Sequence, residues 1–486
     1  MTLPLRRTAQ LAAVLLLAIA ASLLAQSTLL AQAAWEYSPY QVRVWIAAPS
    51  HAQLPPALRD ELAALVAARA EVVFGAVWST RVESVPPALA DGFVHDLEVP
   101  LDRLKAVAPD LLDADKLLVL RVVRGHAGWQ IAARELDCRT RQWSEVQVRS
   151  AGAADSLALA AWDAASAAFT PIVRIEAVDG TQIKARLRAG GLVVDPQSAA
   201  LADPGMVLRP IVRRNDRTGQ PAARGGIQPI AWTLLEVQTR EEAVLQCQLH
   251  SGFRAAIPSR GGVRTERLAL LVRPQFEFTT LALKSRTAEP RPLAGYDIFA
   301  KQQGGSETPL LGKTDWRGQI DLPQGDGSLQ LFLVRNGRQL LARLPIVPGQ
   351  ERLLEASLMD DDGRLQAEGA VAALHTRALD LAARREIVAT RFRARLKERK
   401  FDQAQALLDE FRQLESRSDL VRSLDEQRQQ VQAFDRLTQQ RIDKLFSEAR
   451  QLLTVKALSD DLINILSAEL VKARTAPRTA SAPPGG

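Results

Sequence analysis

Cysteine is almost missing from this chain. Cys138 and Cys247 are the only two among 486 residues, which excludes a disulfide-dense fold and a cysteine-rich zinc module. They fall in different candidate domains. Cys247 alternates with Gln246 and Gln248 in a strand-like run, as a small buried hydrophobe does. A bridge between the two cysteines stays open as the alternative. Histidine is scarce as well. His51, His95, His126, His250 and His375 stand apart, with no HExxH and no Cys/His cluster. There is no G-x-S-x-G elbow and no G-x-G-x-x-G, and Arg260-Gly261-Gly262 lacks the Lys-Ser/Thr continuation of a phosphate loop. No catalytic, cofactor-binding or metal-ligating residue is therefore assigned. No cofactor is expected, and the chain is not expected to be an enzyme. Past residue 34 it also lacks an apolar run long enough to span a bilayer.

What is present begins with a leader. Arg6 and Arg7 precede an uncharged stretch whose apolar core is residues 11–24, LAAVLLLAIAASLL. Ala31-Gln32-Ala33 then places small residues at the −3 and −1 positions of a cleavage site. This three-part pattern predicts an export signal over residues 1–33. The alternative is an uncleaved inner-membrane anchor over residues 11–34, which Gln10, Gln26, Ser27 and Gln32 make a poor span. The expected location is the periplasm or cell envelope, with membrane contact only through the leader if it stays uncleaved.

The bulk composition, 47% hydrophobic and 24% charged, is that of a globular protein. A formal charge of +7 is a mild excess that suits anionic partners such as wall polymer. Nucleic acid is not expected as a partner of an exported chain without a concentrated basic motif.

Periodicity divides the remainder into a multidomain α+β chain. Residues 35–170 read as β-α-β-α-β-β-β-α, with helices covering one face of a mixed sheet. Residues 171–275 hold short strands with frequent turns, Asp179-Gly180 among them, as in a small β-barrel. Residues 276–358 are again strand-rich, with Asn336-Gly337 marking a hairpin. Asp360-Asp361-Asp362-Gly363 reads as a solvated linker. Residues 364–472 are helical, a bundle or coiled coil, and Ser418-Asp419 is the expected cap of its third helix. Residues 473–486 are rich in Pro, Ala and Thr and expected to be disordered.

Several stretches resemble known families. The helix at residues 57–73 and the hairpin LLVLRVVRGHAGWQIAARELD resemble the small α/β domains of bacterial envelope proteins, of the TolB N-terminal and CsgG-like kind. That resemblance implies partner recognition and carries no active-site residues. The Pro204-Gly205-Met206 turn resembles SH3-like barrels. The patterns PLAGYDI, KTDWRGQIDLP and LQLFLVRNGRQLLARLPI resemble the immunoglobulin-like or carboxypeptidase-regulatory β-sandwich, which implies a spacer or adhesion module. Phe401, Ala404 and Leu408 resemble the hinge of a single degenerate tetratricopeptide-like hairpin, with Arg399 where that family prefers glycine.

The densest basic run is Arg384, Arg385, Arg391, Arg393, Arg395, Lys397, Arg399 and Lys400. It is the candidate interaction surface, toward an envelope protein or anionic wall polymer. The expected function is an exported, non-enzymatic binding scaffold. A wall-polymer hydrolase and a purely structural spacer are the alternatives.

Overall fold

The structure is a computed structural model. It describes residues 34–48, 54–253, 257–258, 262, 264–301, 307–433, 436–455 and 458–475. The predicted leader, with its predicted cleavage site after Ala33, and residues 476–486 of the predicted tail lie outside the described residues.

The first sheet and its helices run β1 (Tyr40–Ala47), α1 (Pro56–Val73), β2 (Trp78–Ser84), α2 (Pro87–His95), α3 (Leu101–Val107), β3 (Lys116–Gly125), β4 (Gly128–Asp137), β5 (Gln142–Trp143), β6 (Gln147–Ala151) and α4 (Leu157–Ala168). Strand order is β2-β1-β3-β4-β5, with β6 also on β4. Strand β1 is parallel to β2 and β3, and β4 is antiparallel to β3.

Here the structure corrects the expected one-sided cover. Val42, Val44, Leu118 and Leu120 face α1 and α4, whereas Trp45, Leu117 and Val119 face α2 and α3. A run such as KLLVLRVV has apolar residues on both faces of the pleat, so both faces must be covered. Helix α2 is also additional to the expected order. Pro86-Pro87 reads as a strand stop, but Pro87 occupies the first helical turn, where a missing N–H costs nothing.

The second sheet contains β7 (Ile172–Asp179), β8 (Gln182–Leu187), β9 (Val207–Arg214), β10 (Ile227–Pro229), β11 (Thr233–Glu241), β12 (Val244–Ser251) and β13 (Thr265–Val272). The order β9-β11-β12-β8-β7-β13 closes on itself through β13–β9 pairing, giving a six-stranded barrel with β10 attached outside. Asp179 pairs with Gln182 across the predicted turn, and Gly180 takes φ +57° there. The barrel interior is filled by Val173, Ile175, Ile183, Leu208, Leu235 and Cys247.

Two further sheets face one another. One is ordered β17-β14-β20 and the other β16-β15-β18-β19. They use β14 (Phe278–Ser285), β15 (Asp297–Lys301), β16 (Leu310–Lys313), β17 (Gln319–Pro323), β18 (Gln330–Asn336), β19 (Gln339–Ile346) and β20 (Leu353–Leu358). Leu281, Leu283, Tyr296, Ile298, Phe332 and Ala356 fill the space between them, a β-sandwich core.

The triple aspartate that follows is not the solvated linker expected from its charge. Asp360 and Asp361 are buried. Arg364 donates to both Asp361 carboxylate oxygens, with Nη2 at 2.6 Å from Oδ2, and to the Asn336 carbonyl at 2.9 Å. The Asp361 N–H donates to the Tyr296 hydroxyl at 3.2 Å. The charges pair internally and so join sandwich to helices.

Five helices complete the chain: α5 (Asp362–Lys397), α6 (Phe401–Gln413), α7 (Arg417–Gln430), α8 (Arg436–Leu452) and α9 (Leu462–Thr475). They form a bundle around α5. Its first half packs with α7 and α8 through Leu374, Leu381, Leu420, Leu424, Ile442 and Phe446. Its second half packs with α6 and α9 through Val388, Phe392, Leu408, Phe411, Leu466 and Leu470. The sequence over residues 420–452 keeps a helical apolar spacing that predicts one long helix, but the helix breaks between α7 and α8, where Val431 is extended. The cap of α7 is Ser416, not Ser418, in a reciprocal capping box with Asp419.

Arg399 takes φ +57° just past the end of α5. Lys400 N–H reaches the Arg395 carbonyl at 3.0 Å and Arg399 N–H the Leu396 carbonyl at 3.1 Å, a Schellman closure that favours glycine. Arg399→Gly is expected to raise stability by about 0.5–1 kcal/mol, seen as a higher urea midpoint.

Candidate functional site

The basic run divides once it is folded. Arg384, Arg391, Arg393, Lys397, Arg399 and Lys400 are exposed, and Arg395 is half-buried. Arg393 pairs with Glu469 at 3.2 Å, and Glu398 is shared by Arg395 and Lys400.

Arg385 is the correction: it is only 3% exposed. Its guanidinium donates to the carbonyls of Leu458 at 2.8 Å and Glu415 at 3.0 Å, and to Asp460 at 3.2 Å. These groups lie in the α8–α9 and α6–α7 connections, so Arg385 staples two turns to α5. It sits on the apolar stripe of its helix, which is the available sign that it is internal.

A different surface on α5 is apolar and partly uncovered. Leu374, Ala378, Leu379 and Ala382 line a recess closed by Ala449 and Leu452 of α8 and by Val455 beyond it. The recess measures about 120 Å³. Leu379, Leu452 and Val455 on its rim are 58%, 53% and 54% exposed. Alanines at 378, 382 and 449 keep the floor low, which permits another helix to approach two already packed ones. Arg384 and Arg391 lie about half a helical turn round from His375 at the recess edge, on a separate face, whereas Arg393, about five full turns on, returns to the recess side further along α5.

A second recess, about 100 Å³, lies where the first sheet, barrel and sandwich meet. It is lined by Trp143, Glu145, Thr170, Arg209, Arg273 and Glu351 among others. Burial chiefly pushes the Glu145 carboxyl up. The other ionised groups already have structural partners. Arg209 pairs with Glu351, and Arg273 donates to the carbonyls of Ala167, Phe169 and Ala199. The lining contains two carboxylates from separate modules and no histidine.

Sequence reasoning missed a third cluster. Lys116 Nζ lies 2.8 Å from both Glu135 Oε1 and Asp137 Oδ2, and all three side chains are fully buried. Lys116 also donates to the Thr170 carbonyl at 2.5 Å, and Thr170 N–H donates to Glu135 at 3.0 Å. Two residues on, Ile172 N–H donates to the Tyr40 hydroxyl at 3.1 Å. The knot thus holds the segment that enters β7. Burial opposes the Lys116 ammonium, but Asp137 and Glu135 hold its pKa above the usual range. Burial likewise opposes the Asp137 carboxylate, but Lys116 and Thr140 hold its pKa low. The available signal was a lysine heading an apolar strand whose hairpin partner ends in Glu-Leu-Asp.

No family model matches the chain, and no curated protein matches it. Solved structures show partial likeness. One is a PelC dodecamer from Paraburkholderia phytofirmans, at 16% identity over 27% of this chain and 86% of that one, with a TM-score of 0.16. Another is TolB from Acinetobacter baumannii, at 10% identity over 64% of this chain and 95% of that one, with a TM-score of 0.17. A third is the TIE protein of Bacillus anthracis, at 8% identity over 44% of this chain and 46% of that one, with a TM-score of 0.14. At these scores none carries an argument about this chain.

The remaining candidates are dispersed. Cys138 and Cys247 are free and buried in different cores. His250 Nε2 lies 3.3 Å from Glu236 on the neighbouring barrel strand. Among the described residues no helix is long and apolar enough to cross a membrane.

Proposed function

We propose that this chain is an exported, non-enzymatic scaffold of the cell envelope whose helical bundle receives an amphipathic helix of a partner protein. The apolar recess between α5 and α8 carries this reading. Leucines exposed beside an alanine floor cost solubility unless a partner covers them. The predicted leader supports export. An apolar recess favours a protein segment over an anionic wall polymer, because its lining carries no arginine or lysine and Arg384 and Arg391 lie on another face of α5.

Leu379→Asp combined with Leu452→Asp is expected to weaken partner capture from envelope extract at least about tenfold, since each leucine contributes roughly 1.5–3 kcal/mol when fully covered. Both residues are already exposed, so the bundle should keep its helical circular dichroism. Reversing the charge of Arg384 and Arg391 is expected to leave capture unchanged. Undiminished capture by the leucine double variant overturns the reading. Loss only on charge reversal transfers it to an anionic partner.

A further inference from the structure

The edge of the first sheet carries a second interface. Strand β2 is terminal in that sheet and pairs with β1 alone among the described strands. Its inner side is firmly seated: Trp78 stacks on Phe74 with ring centres 3.8 Å apart and also meets Phe169 at 4.8 Å. Thr80 Oγ1 is buried there without a hydrogen-bond partner among the described residues. On the opposite face, Arg81 and Glu83 stand two residues apart and touch each other, with side chains 74% and 27% exposed.

We propose that β2 pairs antiparallel with β2 of a second copy of this chain, about a two-fold axis at Val82. Such an axis sets Arg81 opposite Glu83 twice, Thr80 opposite Ser84 twice, and Val82 opposite itself. Residues directly opposite on an antiparallel ladder share a face, so each guanidinium meets a carboxylate. Moving the axis to Arg81 or Glu83 puts like charges together, so the side chains select one register. Pro86 and Pro87 lack N–H groups and end the ladder just past Val85. The two sheets become one continuous sheet, and the isologous contact closes without forming a fibre. This surface is separate from the α5–α8 recess and does not depend on it.

A ladder this short makes a weak interface, so sedimentation equilibrium over a wide range of protein concentration is the test. Wild type is expected to show a reversible monomer–dimer equilibrium. Glu83→Arg, which sets arginine against arginine, and Arg81→Glu, which sets glutamate against glutamate, should each weaken dimerisation at least tenfold. The double variant Arg81→Glu/Glu83→Arg restores opposite charges in the same register and should return the constant to within threefold of wild type. Arg81 is exposed, so its variant folds whatever Glu83 contributes beside Trp45. A monomeric wild type overturns the proposal. So does a dimer indifferent to both single reversals, or a double variant that stays monomeric.

Discussion

Replacing Lys116 by methionine is expected to destabilise the chain by about 3–5 kcal/mol, because it removes the one cation between two buried carboxylates. Glu135 and Asp137 are 1% and 2% exposed at the side chain, so water cannot take over from the ammonium. Asp137 retains its Thr140 donors at 2.6 and 2.7 Å, and Glu135 its Thr170 donors, but these do not supply a positive charge. Chemical denaturation at neutral pH reads the loss. A triple variant that also carries Glu135→Gln and Asp137→Asn should recover most of it, since neutral amides need no counter-charge. A loss under about 1 kcal/mol in the single variant contradicts the picture of a desolvated knot.

Acid should bring the two proteins closer in stability. In the wild type, Asp137 has a lowered folded pKa, so its contribution is present above the unfolded value of roughly 3.9 and disappears as pH falls through the folded value. Burial already raises Glu135 in the wild type; in Lys116→Met both carboxylates lose the charge that favoured ionisation, so Glu135 rises further and Asp137 is raised as well. Their cost is then present at neutral pH and is relieved as pH falls through the raised values. The stability gap between wild type and variant should therefore narrow on acidification. A gap that widens in acid contradicts the assignment.

Arg364→Met is the second large effect, again about 3–5 kcal/mol, since it leaves the Asp361 carboxylate buried without its cation. Asp361 and Arg364 are 2% and 6% exposed at the side chain, and the guanidinium also pairs with Glu368 and reaches the Asn336 carbonyl. The damage should localise where the sandwich passes into α5. Limited proteolysis is expected to cut first near residues 359–363, and the urea transition should become broader or biphasic as the bundle uncouples. Arg395→Met is the control. Its pair with Glu398 is half-exposed, and the change should stay within about 0.5 kcal/mol.

Both knots lie at joints between modules, where linear reading is weakest. Asp360-Asp361-Asp362 looks wet because charge in a sequence is normally solvated, and Lys116 looks like the start of a strand. Only folding brings Glu135 and Asp137 across the β3–β4 ladder to Lys116, or carries Arg364 and Tyr296 to Asp361. The basic run fails for a related reason. Positive charge predicted a surface, yet Arg385 shares the inward stripe of α5 with Leu381, Val388 and Phe392. The recess was hidden for another reason. Leu379 and Leu452 are each an ordinary apolar position on their own helices, and only the packing of α5 against α8 leaves them uncovered together over the buried Ala378.

Local pattern alone determined much of the architecture. Alternation with Asp179-Gly180 and Asn336-Gly337 marked hairpins whose glycines take φ +57° and +58°, because a tight turn needs a conformation that glycine adopts freely. Apolar spacing placed the helices of the C-terminal unit, since a 3.6-residue period is local information. Tertiary structure alone decided which faces were covered, which charges were buried and which edge was left open. Those are properties of pairs of segments far apart in sequence. The closure of β13 onto β9, the second helical layer over Trp45 and Val119, and the unpaired side of β2 arise only when the segments meet.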